Sequence, residues 1–520
     1  MLIMSKKRKS EYKPLLLTTT LRNPERIKKY MAVIAKYNGM ILTNEIIDKV
    51  VFDLVSTKIY IPMYVKQNAD LKVQLNNEDP FSYNDTKRII ENSKQVHKEP
   101  GFEKGWPSRF DTWYEFPKEL GLVYYEIDKP IEVSEAGHNL VLSNNEGYEH
   151  LEQQVFLSSF VKYQSNNPFK RVLNKNKPLI LLIQVILKLK EILGENSPGV
   201  SISEIPLFIC WKNNDYLSLT NKIIEIRNNF GVRPSKEYIY GICKSILNFT
   251  EKEENRFKIK NLCHEMPDDY IRKMRMTGLI SIRGAGRFID INNQEIDKIK
   301  YVVENYSELI EFSNERQYFD YVKNIDLSLV NLKKNIIYDN SQSQQLFMKW
   351  VNLFDYDTLK RELLIVCRDK DCSRNEILKY IHQPLRLEFL TALILQKKFT
   401  DLIVKPNYIF DDEGMPTFFA PGNSADIQCL DEKGNILFEV TLIRGRQQVT
   451  SEMIPIERHL KEIRQNDSNA FSVFLAPNIH PDAIQYAAFS KFQSGLDIIT
   501  MDIPTFASTL DEKVDIRNYL

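Results

Sequence analysis

The clearest alternation of apolar and polar positions lies between Asn423 and Gln448. In two short segments apolar and polar residues alternate with the period of two that a half-buried strand requires. The turn formers Lys433-Gly434-Asn435 follow the first segment. This pattern predicts a β-hairpin with a tight turn at 431–434. The periodicity around it predicts further elements, namely helices at 385–399, 455–464 and 481–493 and a buried strand over Phe471–Pro477. Residues 380–520 are therefore predicted to form an α/β unit.

A helix followed by a hairpin is predicted twice in the first part of the chain. Over Trp113–Leu142 the helix ends at Leu120-Gly121, and over Met266–Asn292 it is capped by Asp268-Asp269 and closes at Gly278. Both patterns suit a winged-helix module, whose helix enters the major groove of DNA while basic wing residues meet phosphate. The basic residues of the second unit are then candidate DNA contacts: Arg272, Lys273, Arg275, Arg283 and Arg287. An ordinary helix–hairpin unit with solvated arginines would show the same pattern.

Residues 295–379 are rich in charge and in helix formers, and their apolar positions recur at helical spacing. We interpret this stretch as a helical linker between the two ends of the chain. The whole sequence is therefore predicted to be a multidomain α/β protein.

The amino-acid composition adds few constraints on the class of protein. With 70 basic and 69 acidic residues the overall charge does not indicate a nucleic-acid partner, although a neutral chain can gather its basic residues on one surface. Six cysteines without regular spacing favour a reducing compartment over a zinc site or a disulfide framework. The longest apolar run, Leu179–Leu187, is far too short to span a bilayer. We expect a cytoplasmic protein.

The predicted hairpin carries one acid in each strand, Asp426 and Glu439. If Leu430 pairs with Asn435, the two acids lie directly opposite each other, with Cβ atoms about 5 Å apart. A loop one residue longer places Val440 opposite Asp426 instead. Two carboxylates this close repel unless a divalent cation or a shared proton relieves them. A Mg²⁺ site that activates water for phosphodiester cleavage needs such ligands, whereas acids on the solvent face of a hairpin are the alternative.

Several segments match the motifs of one family. The strongest matches are RLEFLTALIL (Arg386–Leu395), the stretch from VKPNYIF to EVTLIRGRQQ (Val404–Gln448) and IPIERHL (Ile454–Leu460), with looser ones at Thr18–Ile27 and Ser134–Val141. They resemble the AlwI family of type IIS restriction endonucleases, which includes strand-specific nicking relatives. The resemblance implies a winged-helix DNA-recognition region over 1–294, a helical linker over 295–379 and a PD-(D/E)XK-type nuclease domain over 380–520.

The resemblance also implies a catalytic set around the hairpin: Glu388, Asp426, Glu439, Glu452 and His459. It places Asp426 at the metal. A standard (D/E)XK strand carries lysine two residues after the acid, but Thr441 stands there in this chain. If Val440 takes the acid position, Glu452 supplies the missing carboxylate. We favour Asp426 and Glu452 as the principal Mg²⁺ ligands, with Glu439 as the competitor, and the hairpin register decides between them.

Each of these residues has a plainer interpretation. Glu388 could simply occupy the first turn of its helix, where the dipole favours acids, although its apolar neighbours suggest a need for a cation. His459 could be a base for the attacking water, a phosphate contact or a capped surface histidine. Arg444 and Arg446 follow the second strand and could hold the scissile phosphate or a neighbour, or be solvated charges.

Together these features predict a Mg²⁺-dependent type IIS restriction endonuclease that cuts double-stranded DNA a few base pairs from a short asymmetric site. With one catalytic centre per chain, a monomer can only nick. Cutting both strands requires transient dimerisation or a second subunit. A partner DNA methyltransferase that protects host DNA is also implied. The alternatives are a winged-helix replication initiator or regulator without nuclease activity, and a repair nuclease without sequence choice.

Overall fold

The computed structural model describes residues 10–17, 21, 23–76, 79–145, 147–170, 172–368, 373–512 and 515–519. Part of the predicted N-terminal similarity, at 18–20 and 22, lies outside these ranges. The chain divides into two compact units. Unit 1 comprises Met1–Ile47, His97–Leu142 and Leu151–Ile336, and unit 2 comprises Asp48–Val96, Ser143–His150 and Ile337–Leu520. Among the residues described, no helix combines the length and apolar character needed to cross a membrane.

The described helices in the first 200 residues are α1 (Pro24–Ala35), α2 (Asn44–Ser56), α3 (Met63–Gln67), α4 (Ala69–Val73), α5 (Tyr83–Asn92), α6 (Trp106–Glu119), α7 (Glu135–Leu142), α8 (His150–Lys162) and α9 (Pro178–Leu193). Those that follow, up to residue 368, are α10 (Ile205–Cys210), α11 (Tyr216–Phe230), α12 (Lys236–Leu247), α13 (Glu251–Arg256), α14 (Met266–Arg275), α15 (Ile296–Tyr306), α16 (Glu315–Val322), α17 (Leu327–Val330), α18 (Asn340–Leu353) and α19 (Tyr356–Val366). The last described helices are α20 (Gln383–Lys398), α21 (Ile454–Arg464), α22 (Pro481–Ser494) and α23 (Ile503–Thr509). Proline occupies the first or second position of α20 to α23, where its missing N–H costs no hydrogen bond.

The strands of unit 1 are β1 (Val123–Tyr124), β2 (Glu132–Val133), β3 (Val200–Ser201), β4 (Ile280–Arg283) and β5 (Phe288–Ile291). Those of unit 2 are β6 (Ile403–Pro406), β7 (Ile409–Phe410), β8 (Pro416–Phe418), β9 (Ile427–Asp431), β10 (Gly434–Val440), β11 (Phe471–Ala476) and β12 (Ile498–Asp502). The sheet that matters for the site has the order β12-β11-β10-β9-β6. It is mixed, because β10, β11 and β12 are parallel whereas β9 runs antiparallel to both β10 and β6. The fold is therefore mixed α/β, as predicted.

Both predicted helix–hairpin units are present in unit 1. In the first, α6 is followed by Gly121 at φ +73°, by the β1–β2 hairpin and by α7. A Cβ on Gly121 would lie 2.8 Å from the backbone nitrogen of Lys323, so only glycine fits there. In the second, the β4–β5 hairpin follows α14, and β3 adds a third strand beside β5. Asp268 and Asp269 lie inside the first turn of α14 and do not cap it, because the helix already begins at Met266.

The stretch predicted as a helical linker consists mainly of helices joined by loops where it is described. It contains α15 to α19, and residues 369–372 lie outside the described ranges. One of the points at which the chain passes from unit 1 to unit 2 falls within it, after Ile336. Its role as a linker stays a prediction.

The two faces of the sheet in unit 2 pack against different helices. Leu437 and Glu439 are two residues apart on β10 and share a face, and Leu437 lies in one apolar cluster with Leu460 of α21. On the other face, the ring of Phe438 lies 6.2 Å from that of Phe506 on α23. Strand alternation therefore directs Glu439 toward the side of the sheet that α21 covers.

Candidate active site

The register of the β9–β10 hairpin places Asp426 opposite Glu439. Leu430 pairs with Asn435, as in the first of the two predicted registers, and the ladder runs on to Ile427 and Phe438. Asp426 and Glu439 come next along their strands. The backbone N–H of Asp426 donates to Glu439 Oε2 at 3.3 Å.

Two contacts fix the geometry of this hairpin. At its active-site end, the backbone N–H of Val440 donates to Asp426 Oδ2 at 2.8 Å. At the turn, Gly434 has φ +137°, and a Cβ on it would lie 2.4 Å from the carboxylate of Asp467. A side chain at Gly434 would be strained in its backbone and would also clash, so glycine here keeps the turn to two residues. The short turn therefore sets the register that brings Asp426 and Glu439 together.

Glu388 belongs to the same acidic cluster. It is the sixth residue of α20 and is only 4% exposed, so the alternative of a first-turn acid favoured by the helix dipole is wrong. One carboxylate oxygen accepts a hydrogen bond from the backbone of Ala420, whereas Oε2 is buried and has no hydrogen-bond partner. A buried carboxylate oxygen without a donor is costly unless a cation or a proton satisfies it.

Glu452 reaches the cluster from the turn that directly precedes α21. It lies in a π-helical turn, Val449–Met453, and not in the same regular helix as His459. Such turns frequently occur at functional sites. The carboxyl group of Glu452 accepts a hydrogen bond from Thr441, the residue that stands in the lysine position of the motif.

His459 is buried at 7% exposure and binds Glu439, so it is not a surface histidine. Its Nδ1 donates to Glu439 Oε1 at 2.8 Å, and its Nε2 lies 3.3 Å from the carbonyl oxygen of Gly422. Burial would lower the pKa of His459, but the hydrogen bond and charge of Glu439 raise it above the ordinary value. With acceptors at both nitrogens, the geometry favours an imidazolium that orients Glu439 over a general base.

The pKa of every carboxyl group in the cluster is raised. Burial is the largest cause for each of the four acids. For Asp426 the next largest causes are the charges of Glu388 and then of Glu439, with Glu452 contributing less. The pKa of Glu452 is raised to about 8, although the hydrogen bond from Thr441 opposes this. The four acids are thus crowded into one place, where Glu388 and Glu439 are buried and Asp426 and Glu452 are partly buried.

The cluster offers the type of ligand that a hard divalent cation prefers, but its side chains are not arranged to hold one. In the described part of the chain, no three or more His, Cys, Asp or Glu side chains are placed so as to hold a metal ion. Asp426 Oδ2 is bonded to Val440, and both oxygens of Glu439 accept hydrogen bonds. In contrast, Glu388 Oε2 lacks a donor, and the ligand atoms on offer are the carboxylate oxygens that Mg²⁺ prefers.

The two arginines after β10 are engaged away from the acids. Arg444 donates to the carbonyl oxygen of Cys367. Arg446 is exposed and forms an ion pair with Asp482 at 2.9 Å. Both lie on the segment between β10 and the π-helical turn, so their predicted phosphate contacts stay predictions.

The basic residues of α14 and its hairpin are distributed unequally. Lys273 is fully buried, with its ammonium group 2.8 Å from Asp269, and Arg275 is only 7% exposed. Neither side chain is accessible to DNA in this structure, because α14 is buried over most of its circumference within unit 1. The periodicity of a short helix did not reveal this. Three other candidates reach the surface to differing degrees: Arg272 and Arg283, which pair with Asp268 and Asp290, and Arg287, which is exposed.

Sequence reasoning missed Arg458, which precedes His459 on α21. Its Nη2 donates to the carbonyl oxygen of Gly422 at 3.2 Å and lies 3.4 Å from Nε2 of His459. The segment Ile454–Leu460 contained the signal, an arginine next to the candidate histidine. Without the fold there was no reason to prefer it to other surface arginines.

Comparison with known proteins identifies the class. A family model described as "AlwI restriction endonuclease" matches residues 118–358 and 362–508. This match covers most of the chain, including the acidic cluster, and makes the protein a restriction endonuclease, a DNA-binding nuclease. The chain belongs to the AlwI restriction endonuclease family, as the sequence motifs predicted.

Solved structures and curated proteins add little. The small subunit R.BspD6I2 of the heterodimeric restriction endonuclease R.BspD6I is 24% identical, over 29% of this chain and 77% of its own, with a TM-score of 0.25. Restriction endonuclease FokI matches over 97% of both chains in two structures, at 9% identity in one and 10% in the one bound to DNA, with a TM-score of 0.23 in each case. At these TM-scores the family assignment rests on the family model alone. No curated protein matches the chain.

Proposed function

We propose that this chain is a Mg²⁺-dependent type IIS endonuclease that hydrolyses phosphodiester bonds of double-stranded DNA a few base pairs from a short asymmetric site. One observation carries the proposal: a restriction endonuclease chain brings together Glu388 and Glu439, which are buried, and Asp426 and Glu452, which are partly buried, with the backbone N–H of Asp426 bonded to Glu439 Oε2. Crowding four acids into a place of low exposure is unfavourable in the absence of a cation. A nuclease that uses a divalent ion provides the reason for keeping them.

Mg²⁺ would be held first by Asp426 and Glu388. Asp426 is the acid whose pKa is raised by the charges of all three others, and Glu388 has the oxygen without a donor. Glu439 and Glu452 would complete the oxygen shell, which requires Asp426 and its neighbours to reorient from the hydrogen bonds they make here. When bound, Mg²⁺ lowers the pKa of water and offsets negative charge on the phosphate. This assignment moves Glu388 ahead of Glu452, the ligand favoured by sequence alone.

The other residues of the site would hold these acids in place. His459 fixes the orientation of Glu439 through Nδ1, and Thr441 does the same for Glu452. The hairpin keeps Asp426 against Val440. The arrangement of Asp426 and Glu439 on neighbouring strands supports a PD-(D/E)XK-type domain whose motif lysine is replaced by threonine.

Recognition would belong to the N-terminal part of the chain. We assign a winged-helix recognition region to 1–294, the linker to 295–379 and the nuclease domain to 380–520. The α14–β4–β5 unit, with a helix before a two-stranded hairpin, supports this assignment. Arg272, Arg283 and Arg287 remain the candidate DNA contacts of that unit. A DNA-binding protein without nuclease activity would have no use for the buried acids.

One acidic cluster per chain means that one chain cuts one strand. Cleavage of both strands would need a second copy, bound transiently on DNA, or a different subunit. Restriction activity would also require a methyltransferase that protects the host's own sites.

Mapping the cut positions tests the specificity part of this proposal. Genomic DNA digested in Mg²⁺ is expected to yield ends that share one short asymmetric sequence at a fixed distance from the cut. Plasmid digests run alongside report strand number, since linear product requires both strands to be cut and open circles only one. Ends without a common sequence would instead indicate a nuclease of the same fold without sequence choice.

A further inference from the structure

The strand motif of this site lacks the positively charged lysine that the standard motif carries. Thr441 stands two residues after Glu439, and its hydroxyl group is bonded to Glu452, so β10 directs no positive group at the substrate. Hydrolysis of a phosphodiester increases negative charge on the phosphate oxygens in the transition state. Active sites stabilise that charge with a metal ion together with Arg or Lys. Another element must therefore supply the positive side chain.

Arg458 is placed to do so. It lies on α21, whose next residue, His459, is hydrogen-bonded to Glu439 of the acidic cluster. Its Nη2 lies 3.4 Å from His459 Nε2, and its charge lowers the pKa of that histidine. The same Nη2 donates to Gly422 at 3.2 Å, in the segment that leads to Asp426. Arg458 is nevertheless exposed, so DNA can reach its guanidinium group.

Other arginines of unit 2 are less suited. Arg386 is fully buried and donates to the carbonyl groups of Leu378 and Ile381. Arg446 is paired with Asp482, and Arg444 with a backbone carbonyl. Arg458 contacts His459, the hydrogen-bond partner of Glu439, and is also exposed to solvent.

We propose that Arg458 is a catalytic residue whose guanidinium group binds the non-bridging oxygens of the scissile phosphate, in place of the motif lysine. This inference rests on the proposed function. In the step it assists, water oxygen bonds to phosphorus and gives up one proton, one P–O ester bond breaks, and the leaving oxygen takes up one proton, so that protons balance. Arg458 forms no covalent bond and keeps its charge throughout. The planar fork of arginine matches two phosphate oxygens, which a lysine cannot do.

Single-turnover cleavage of a duplex that carries the mapped site tests this role. Arg458→Ala and Arg458→Gln are expected to slow cleavage about 10²- to 10³-fold, the usual cost of losing one group that stabilises transition-state charge. Their affinity for the same duplex in EDTA should change less than about threefold, because the contact strengthens in the transition state. Added guanidinium chloride should restore part of the rate to Arg458→Ala, and Arg458→Lys should keep an intermediate rate. Lys461→Ala, which removes an exposed cation one turn further along α21, serves as the control and should cleave normally.

Each outcome has a separate meaning. A wild-type rate in both neutral variants overturns the role of Arg458 and leaves the endonuclease function intact. A fall in DNA affinity as large as the fall in rate, without guanidinium rescue, also overturns it, because Arg458 would then be only a DNA contact. If Arg458→Ala does not fold, Arg458→Gln decides, since its amide can keep the hydrogen bond to Gly422. If the wild-type protein cuts no DNA in Mg²⁺, the proposed function and this inference both fail.

Discussion

Asp426→Asn is expected to abolish DNA cleavage while leaving DNA binding intact. Asparagine keeps the size of the side chain, and its Oδ1 can still accept the hydrogen bond from the backbone of Val440 that holds the hairpin. What it removes is the charge at the centre of the acidic cluster, and with it a principal Mg²⁺ ligand. Loss of that ligand should slow single-turnover cleavage by at least about 10³-fold. Affinity for the duplex in EDTA should stay at the wild-type value, because recognition is assigned to residues 1–294.

Glu432→Gln is the matched control for this variant. Glu432 is an exposed acid at the turn of the same hairpin, remote from the paired acids, so its neutralisation should leave the rate unchanged. Equal losses in both variants would point to a general effect of charge on DNA binding. A wild-type rate in Asp426→Asn would remove Asp426 from the metal site.

Glu388→Gln is expected to have two opposite effects. It should slow Mg²⁺-dependent cleavage about 10²-fold or more by removing a ligand. Without metal, however, it should raise the free energy of unfolding by about 1 kcal/mol, because a buried carboxylate crowded by Glu439 and Asp426 is replaced by a neutral amide. Mg²⁺ at 100 times its dissociation constant should stabilise the wild-type protein by about 2.7 kcal/mol, and Glu388→Gln by much less at the same concentration. Denaturant unfolding with and without Mg²⁺, followed in parallel with cleavage, measures all of these quantities.

Glu362→Gln controls for burial alone. Glu362 lies on α19 of unit 2, is 4% exposed and, like Glu388, has a buried Oε2 without a hydrogen-bond partner. It is not among the charges that perturb the acidic cluster. Its substitution should therefore leave both the Mg²⁺ response and the cleavage rate unchanged. An undiminished Mg²⁺ response in Glu388→Gln would place the ion elsewhere.

Local patterns predicted much of unit 2. The alternation and turn residues predicted the β9–β10 hairpin with two possible registers, and the structure has the first of them. The helices α20, α21 and α22 and the buried strand β11 also lie where apolar periodicity placed them. The edge strands β6 and β12 were not predicted, because their short segments acquire strand geometry from neighbours that are distant in sequence.

Predictions that depended on the environment of a side chain were less reliable than those of helices and strands. Lys273 and Arg275 looked like solvated charges on a basic helix, but tertiary packing buries both. The family motif pointed to Glu388, yet only the fold reveals that its Oε2 has no donor. The same holds for Arg458, whose proximity to the acids depends on how α21 lies against the sheet. Charge partners separated by many residues are set by packing, which local periodicity does not encode.

The central claim, that the acidic cluster carries metal-dependent DNA cleavage, is tested most directly on supercoiled plasmids. Wild-type protein and Asp426→Asn are incubated with several plasmids in Mg²⁺ and in EDTA, and the products are separated by agarose gel. Discrete nicked or linear DNA is expected from the wild-type protein in Mg²⁺ only. Equal cleavage by both proteins, or DNA binding by both without any cleavage, would rule out metal-dependent cleavage by the acidic cluster.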